Sequence, residues 1–134
     1  MTVRPGLLGL ALAVAAGGAA GLAGCGDSAP AKAPVTVATP TIHNGVQVFD
    51  VRGTTKLTFS PSELDAAPGL ITVNFHVDQL SPPHDFIVPS ISGAKTPVVS
   101  AGASTSVSFR APSPGSYQFV CSIHTNMQGI LKVR

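Results

Sequence analysis

Apolar and polar residues alternate over short stretches of this chain, and proline and glycine separate the stretches. The clearest case is residues 70–77, where apolar side chains at every second position alternate with Thr72, Asn74 and His76. Such alternation predicts a β-strand with one buried face and one wet face. His76 falls on the wet face, so we expect it to be a surface residue with no role in a functional site.

Similar stretches predict further strands, and no long segment has the 3.6-residue period of a helix. Seven or eight short strands in about 90 residues favour an all-β fold, a Greek-key β-sandwich. The predicted strands lie at residues 46–52, 55–59, 70–77, 84–88, 97–100, 105–110, 116–120 and 130–133.

The N-terminus has the pattern of an export signal. Arg4 is followed by an uncharged apolar run at residues 7–20. This run is too short, and too rich in glycine and alanine, to be read as a membrane span. A Leu-Ala-Gly-Cys sequence follows the run at residues 22–25 and resembles the bacterial lipobox, in which the cysteine carries lipid. Residues 1–25 are therefore predicted to be a lipoprotein signal peptide, with lipidation at Cys25 and an extracytoplasmic domain anchored to a bacterial membrane. The alternative is an ordinary secretory signal with an incidental cysteine.

Residues 26–44 are rich in alanine, proline and threonine and predict a linker with polyproline II character. At about 3 Å per residue, this linker would hold the domain up to roughly 50 Å from the bilayer. His43 lies at its end and is not expected to be a ligand. The folded domain is predicted to occupy residues 45–134.

Charge excludes one class of partner. Without Arg4, the chain has seven basic and six acidic residues, and it contains no charge block or nucleotide-binding glycine loop. Nucleic acid is therefore not an expected partner. We expect the protein to be a monomer.

The strongest chemical signal is the C-x2-H-x2-M sequence formed by Cys121, His124 and Met127. A soft thiolate, a borderline imidazole and a weak thioether within seven residues indicate a metal, copper above all. A second imidazole would complete the set. His84, within a Pro-Pro-His-Asp-Phe sequence, is the best candidate.

Cysteine and methionine usage supports a metal site. The chain has two cysteines, so a lipidated Cys25 would leave Cys121 as the one thiol of an exported protein, where a metal–sulfur bond would protect it from oxidation. Apart from Met1, Met127 is the only methionine. The alternatives are an inert buried cysteine and a methionine that fills the core.

Residues 114–133 resemble the C-terminal hairpin of the cupredoxins, and the short Cys-His-Met loop is most similar to that of amicyanin; the loop of plastocyanin-like proteins is usually longer. The resemblance extends over most of residues 45–134. It implies a type 1 blue copper site with one copper ion, cycling between Cu(I) and Cu(II). The ligands implied by the match are His84, Cys121 and His124 in the plane and Met127 on the axis.

Two positions near the ligands depart from the common cupredoxin pattern. Asp85 stands where asparagine is frequent; its carboxylate could accept hydrogen bonds from Ser122 and would favour Cu(II). Ile123 stands where similar loops often have proline, and its backbone N–H could donate to the Cys121 sulfur and favour Cu(I). Asp85→Asn is expected to raise the reduction potential.

The resemblance implies a membrane-tethered carrier of single electrons between extracytoplasmic redox partners. Partners would dock near His124, on an apolar patch bordered by Pro82, Pro83, Ile123 and Met127. The alternative function is copper storage, delivery or resistance, although the chain has no Met-rich or His-rich tract. A copper-free binding module is a third possibility. Zinc is an alternative metal, but structural zinc usually requires a fourth nitrogen, sulfur or carboxylate ligand. An enzyme is not expected, because type 1 copper has no vacant position for substrate.

Overall fold

The computed structural model describes residues 32–134, and the predicted signal peptide and Cys25 lie outside the described residues. In this part of the chain the regular structure is entirely β-strand, in nine strands. No helix among these residues is long and apolar enough to cross a membrane. The strands are β1 (Val37–Ala38), β2 (Thr41–His43), β3 (Val46–Gly53), β4 (Phe59–Ser60), β5 (Glu63–Ala66), β6 (Gly69–Val77), β7 (Ser104–Ala111), β8 (Gly115–Val120) and β9 (Gln128–Val133).

The strands form two mixed sheets. Sheet one has the order β1-β5-β9-β8, and sheet two has the order β2-β3-β6-β7 with β4 paired to the end of β3. Strand β3 runs parallel to β6, and β5 runs parallel to β9, while the β6–β7 and β8–β9 pairs are antiparallel. The predicted Greek-key β-sandwich is confirmed.

One hydrophobic core lies between the sheets. The apolar face of β6 is fully buried, as the alternation in residues 70–77 predicts, and His76 on the other face hydrogen-bonds Ser104 at 2.7 Å. Four phenylalanines form the centre of the core, with ring centroids 5.0–6.2 Å apart in edge-to-face or tilted arrangements. Aromatic pairs of this kind favour fixed ring orientations. The four are Phe59, Phe75, Phe86 and Phe119.

The folded domain begins earlier than the predicted boundary at residue 45. Residues 37–43, predicted as linker, form β1 and β2, which pair with β5 and β3 respectively. Thr36 is also fixed, because its carbonyl accepts hydrogen bonds from the backbone N–H groups of Ser62 and Glu63. Pro34 and Pro40 indicated a linker, but a short stretch with β-branched residues follows each of them and adds one strand to each sheet.

The segment between β6 and β7 also differs from the prediction. Residues 84–88 and 97–100 form isolated bridges rather than full strands, with His84 opposite Val99 and Ile87 opposite both Lys95 and Val120. Backbone hydrogen bonds within the segment, such as the two that His84 and Val99 exchange, hold it together, and the Ile87–Val120 pair attaches it to β8. Residues 55–57 lie in a turn, and β5 was not predicted, because its Glu-Leu-Asp-Ala sequence gives only a weak strand pattern.

Candidate metal centre

The β8–β9 hairpin carries three of the four predicted ligands in one closed loop. Cys121 follows the last residue of β8, and Met127 precedes the first residue of β9. The backbone N–H of Cys121 donates to the Met127 carbonyl at 3.1 Å, and the N–H of Met127 donates to the His124 carbonyl at 3.4 Å. Asn126 turns the chain with a φ of 68°, in the left-handed region that asparagine tolerates. The loop is thus held at both ends by the hairpin.

His84 reaches this loop through a second set of backbone hydrogen bonds. Ile87 and Val120 exchange both of their N–H to carbonyl bonds, at 3.0 and 2.8 Å, and Val120 is the residue before Cys121. On the other side, His84 exchanges two backbone bonds with Val99, at 3.0 and 2.7 Å. The His84 segment is therefore fixed directly against the strand that ends in the thiol.

Three donor atoms converge at a distance that suits a metal. The Nδ1 atoms of His84 and His124 are 3.1 Å apart, and the Cys121 Sγ lies 3.8 Å from the first and 3.5 Å from the second. The circumradius of a triangle with these sides is about 2.0 Å, close to the metal–nitrogen and metal–sulfur distances of about 2.0–2.3 Å found in proteins. The described residues contain no other group of three or more histidine, cysteine or acidic side chains that could hold a metal.

Hydrogen bonding fixes the tautomer and orientation of His84. Its Nε2 lies 3.1 Å from the Thr54 carbonyl and 2.9 Å from the Ser81 hydroxyl. A carbonyl can only accept, so Nε2 carries the proton and the Nδ1 lone pair faces Cys121 and His124. Outer hydrogen bonds of this kind orient metal-binding histidines and raise their basicity.

Burial favours the uncharged forms of two ligands before a metal binds. It lowers the pKa of His84, which is fully buried, so the imidazole is neutral and available to a metal. Burial also raises the pKa of the Cys121 thiol, while the backbone N–H groups of Asp85 and Ile123 act in the opposite direction by favouring the thiolate. Of these two N–H groups, that of Asp85 belongs to the His84 segment and that of Ile123 to the loop.

Met127 is buried in the core, with 1% of its surface exposed. This position agrees with a ligand inside the loop, but it removes Met127 from the surface patch predicted around His124. Pro82, Pro83 and Ile123 are exposed, and His124 is half-buried. Leu80, which the sequence did not indicate, is 94% exposed in the turn before Ser81.

Asp85 connects the two ligand segments through its carboxylate. It accepts one hydrogen bond from the backbone N–H of Ser122 at 2.7 Å and a second from the Ser122 hydroxyl. Only 3% of Asp85 is exposed, so its environment is low in dielectric. The Asp85 side chain therefore joins the His84 segment to the loop that carries Cys121.

Replacing Asp85 with asparagine is expected to raise the reduction potential of the copper-loaded protein. The substitution keeps the shape and one acceptor but removes a charge that favours Cu(II). Coulomb's law at an effective dielectric of about 20 puts the effect on the order of 100 mV. Direct voltammetry of the two proteins measures it, and Ser122→Ala separates the charge from the hydrogen bond. A lower potential in Asp85→Asn would contradict this account.

The residues that support His84 were not recognised in the sequence. Gly53 ends β3 against the imidazole, and Thr54 and Ser81 hold its Nε2. A Cβ built on Gly53 would lie 2.7 Å from the Cδ2 of His84, closer than real Cβ contacts. The only sequence signal is the glycine itself, which lies between the strands predicted at residues 46–52 and 55–59.

Comparisons with known proteins agree with the β-sandwich fold described above. The family model of the cupredoxin-like domain matches residues 25–133. No curated protein matches the sequence.

Among solved structures, auracyanin A, a "blue" copper protein from Chloroflexus aurantiacus, aligns with a TM-score of 0.61 at 20% identity, covering 67% of this chain and 100% of that chain. The metal-binding domain of the Streptococcus pneumoniae Cu(I)-exporting P-type ATPase, solved with Cu(I), aligns with a TM-score of 0.64 at 16% identity, covering 75% and 98%. The copper-containing nitrite reductase of Thermus scotoductus aligns at 0.51 and 24% identity, covering 73% of this chain and 28% of that chain.

These likenesses show a shared fold, and the site shows its own donor chemistry. A thiol and two imidazoles converge at metal-ligand distance, and a thioether is buried in the same loop. One thiolate, two nitrogens and a weak sulfur are the donor set of blue-copper sites. With most of the sequence matched by the family model, the chain belongs to the cupredoxin-like family, and His84, Cys121, His124 and Met127 are arranged as a site for one copper ion.

Proposed function

We propose that this protein is a mononuclear type 1 copper protein that carries single electrons. The observation that carries the proposal is the donor triangle, because it has the size of a metal site and is fixed by the protein itself. When bound, copper would supply the one-electron chemistry. His84, Cys121, His124 and Met127 would hold it.

The chain's own contribution is to keep these ligands still. A ligand set that does not rearrange between Cu(II) and Cu(I) requires little reorganisation when an electron arrives. His84 is held by Thr54 and Ser81, and the thiol loop is closed by the β8–β9 hairpin. Phe86 and Phe119, two residues from His84 and Cys121 respectively, pack 5.0 Å apart beneath the site. This support favours electron transfer over a site that opens to release its metal.

Electrons would enter and leave near His124. This imidazole is half-buried, and exposed apolar residues stand around the same end of the domain, including Pro82, Pro83 and Ile123. An exposed apolar patch beside a redox centre is a plausible docking surface for a protein partner. Redox proteins, rather than nucleic acid, would be the partners of this monomer.

The domain would work outside the cytoplasm and be attached to a bacterial membrane. The basis is the N-terminal pattern, an apolar run followed by Leu-Ala-Gly-Cys at residues 22–25. Lipid on Cys25 would make the protein a lipoprotein of the cell envelope, with no catalytic reaction of its own.

Copper storage or delivery is the second candidate. The likeness to a metal-binding domain of a Cu(I)-exporting ATPase favours it, although it rests on the shared fold at 16% identity. Delivery requires that the site hands over Cu(I). The closed loop and buried His84 offer no obvious route for this.

Voltammetry combined with a chelator challenge separates the two functions. We expect the copper-loaded chain from Gly26 onward to give a reversible one-electron wave and to retain its copper when the reduced form meets a strong Cu(I) chelator. His43→Ala, in β2 far from the ligands, should behave like the original protein. Rapid transfer of Cu(I) to the chelator would instead assign the protein to copper delivery.

A further inference from the structure

The first strand of the domain shows from which end the chain enters the fold. The Thr36 carbonyl accepts from the N–H groups of Ser62 and Glu63, and Val37 lies opposite Glu63 in the parallel β1–β5 pair. Glu63 in turn lies opposite Ile130 in the parallel β5–β9 pair. Strands β1, β5 and β9 therefore run in the same direction, away from the loop of residues 121–127 that carries Cys121, His124 and Met127.

The level of Thr36 can be read from this register. Strand β9 begins directly after Met127, so β1 starts at the copper end of sheet one and runs away from it. Two strand spacings separate β1 from β9, which is about 10 Å. The chain therefore enters the fold at the copper side; by the register Thr36 is level with Gly129, and the far end of β9, at Val133, lies about 13 Å further along the strand direction.

The fold also shortens the connection to the membrane. With β1 and β2 inside the sheets, only ten residues lie between Cys25 and Thr36. Covalent geometry limits this span to about 40 Å at full extension. Turning the copper end away from the bilayer would use about a third of that length to pass back along the sandwich.

We propose that the copper end of the domain faces the membrane to which Cys25 is anchored, and that its partner is a redox protein held in the same bilayer. The inference rests on the proposed lipid anchor. The surface presented in this direction is apolar at Leu80, Pro82, Pro83 and Ile123. Such a surface suits an apolar docking site close to the bilayer, and a water-soluble partner would find it partly screened by the membrane.

Energy transfer from tryptophan measures this orientation, because the chain contains no tryptophan of its own. Leu80→Trp places a donor at the copper end, and Ala67→Trp places one on the exposed loop after β5, at the far end. Each variant is prepared as the full-length protein with its lipid and without metal. It is then inserted into phosphatidylethanolamine and phosphatidylglycerol vesicles that contain a dansyl-headgroup lipid. We expect at least twofold higher transfer efficiency from Leu80→Trp. Equal efficiencies, or a higher value for Ala67→Trp, would overturn the proposal.

Two controls identify the cause of a failure. Mass spectrometry of the N-terminal peptide, with Cys25→Ser as the unlipidated reference, is done first; absence of lipid refutes the anchor itself and leaves the proposed electron-carrier function standing. Inserting twenty glycine and serine residues after Asp27 should bring the two efficiencies together. A difference that persists with this spacer would contradict the argument from tether length.

Discussion

Replacing Gly129 with alanine is expected to destabilise the domain by about 3 kcal/mol, the upper part of the range for overpacked cores. A Cβ at this position would lie 2.2 Å from the Cζ of Phe119 and 2.6 Å from the Ser62 carbonyl oxygen. The ring belongs to the central aromatic cluster and cannot retreat, and the carbonyl is held by the N–H of Ile130. For a domain of about 100 residues, such a loss lowers the melting temperature by roughly 10–20 °C.

Thermal unfolding of the metal-free protein measures this effect without the contribution of copper. Gly115→Ala is the matched control, since Gly115 lies in the neighbouring strand β8 and a Cβ there would meet Tyr117 at an ordinary 3.5 Å. The control should change the melting temperature by only a few degrees. Equal melting temperatures for the two variants would mean that the Gly129 contact does not constrain the core.

Replacing Gly53 with alanine is expected to damage the copper site more than the fold. The added Cβ would come within 3.0 Å of the Cβ and Cγ of His84 and closer still to its Cδ2. Because Thr54 and Ser81 hold the far nitrogen of the ring, the imidazole can move only by leaving these bonds or the donor triangle. Loss of such supporting contacts typically reduces metal affinity by about 10–100-fold.

Competition titration with a Cu(II) chelator measures the affinity of the Gly53→Ala protein, and unfolding of the metal-free form checks that it remains folded. Gly115→Ala again serves as the comparison, because it is remote from His84. A folded Gly53→Ala protein with unchanged copper affinity would show that His84 is not held in place by the end of β3.

The candidate ligands could be predicted from sequence because their chemistry is concentrated. Cys121, His124 and Met127 lie within one hairpin loop, whose strands are recognisable from the residues on either side. A local loop fixes the distances between its own residues, so spacing alone carries much of the geometry. His84 was predictable only as the partner that this donor set required.

Strands β1 and β5 of sheet one were harder to predict, because their pairing is long-range. Strands β1 and β5 are short, and each is stabilised by a parallel neighbour distant in sequence, β1 by β5 and β5 by β9. Their own sequences carry little alternation. The segment that contains His84 is held by isolated bridges, one to Val99 and one to β8. The full strands predicted at residues 84–88 and 97–100 therefore do not form.

The residues that support His84 could not be predicted from the sequence either, because their contacts with it are also long-range. Gly53 and Thr54 lie 31 and 30 residues before His84, and no local pattern connects them to it. The role of Gly53 appears only when the distance from its missing Cβ to the imidazole is known. A metal ligand can be recognised by its residue type. A residue that only packs against a ligand can be recognised by little more than its small size.

The most direct test of the copper site is the visible absorption and EPR spectrum of the chain from Gly26 onward after addition of Cu(II). Cys121→Ser is the control, because it removes the thiolate while keeping a side chain of similar size. We predict an intense thiolate-to-copper charge-transfer band with narrow copper hyperfine splitting, both lost in Cys121→Ser. A colourless protein, or a spectrum that Cys121→Ser leaves unchanged, would contradict the assignment of a blue-copper site.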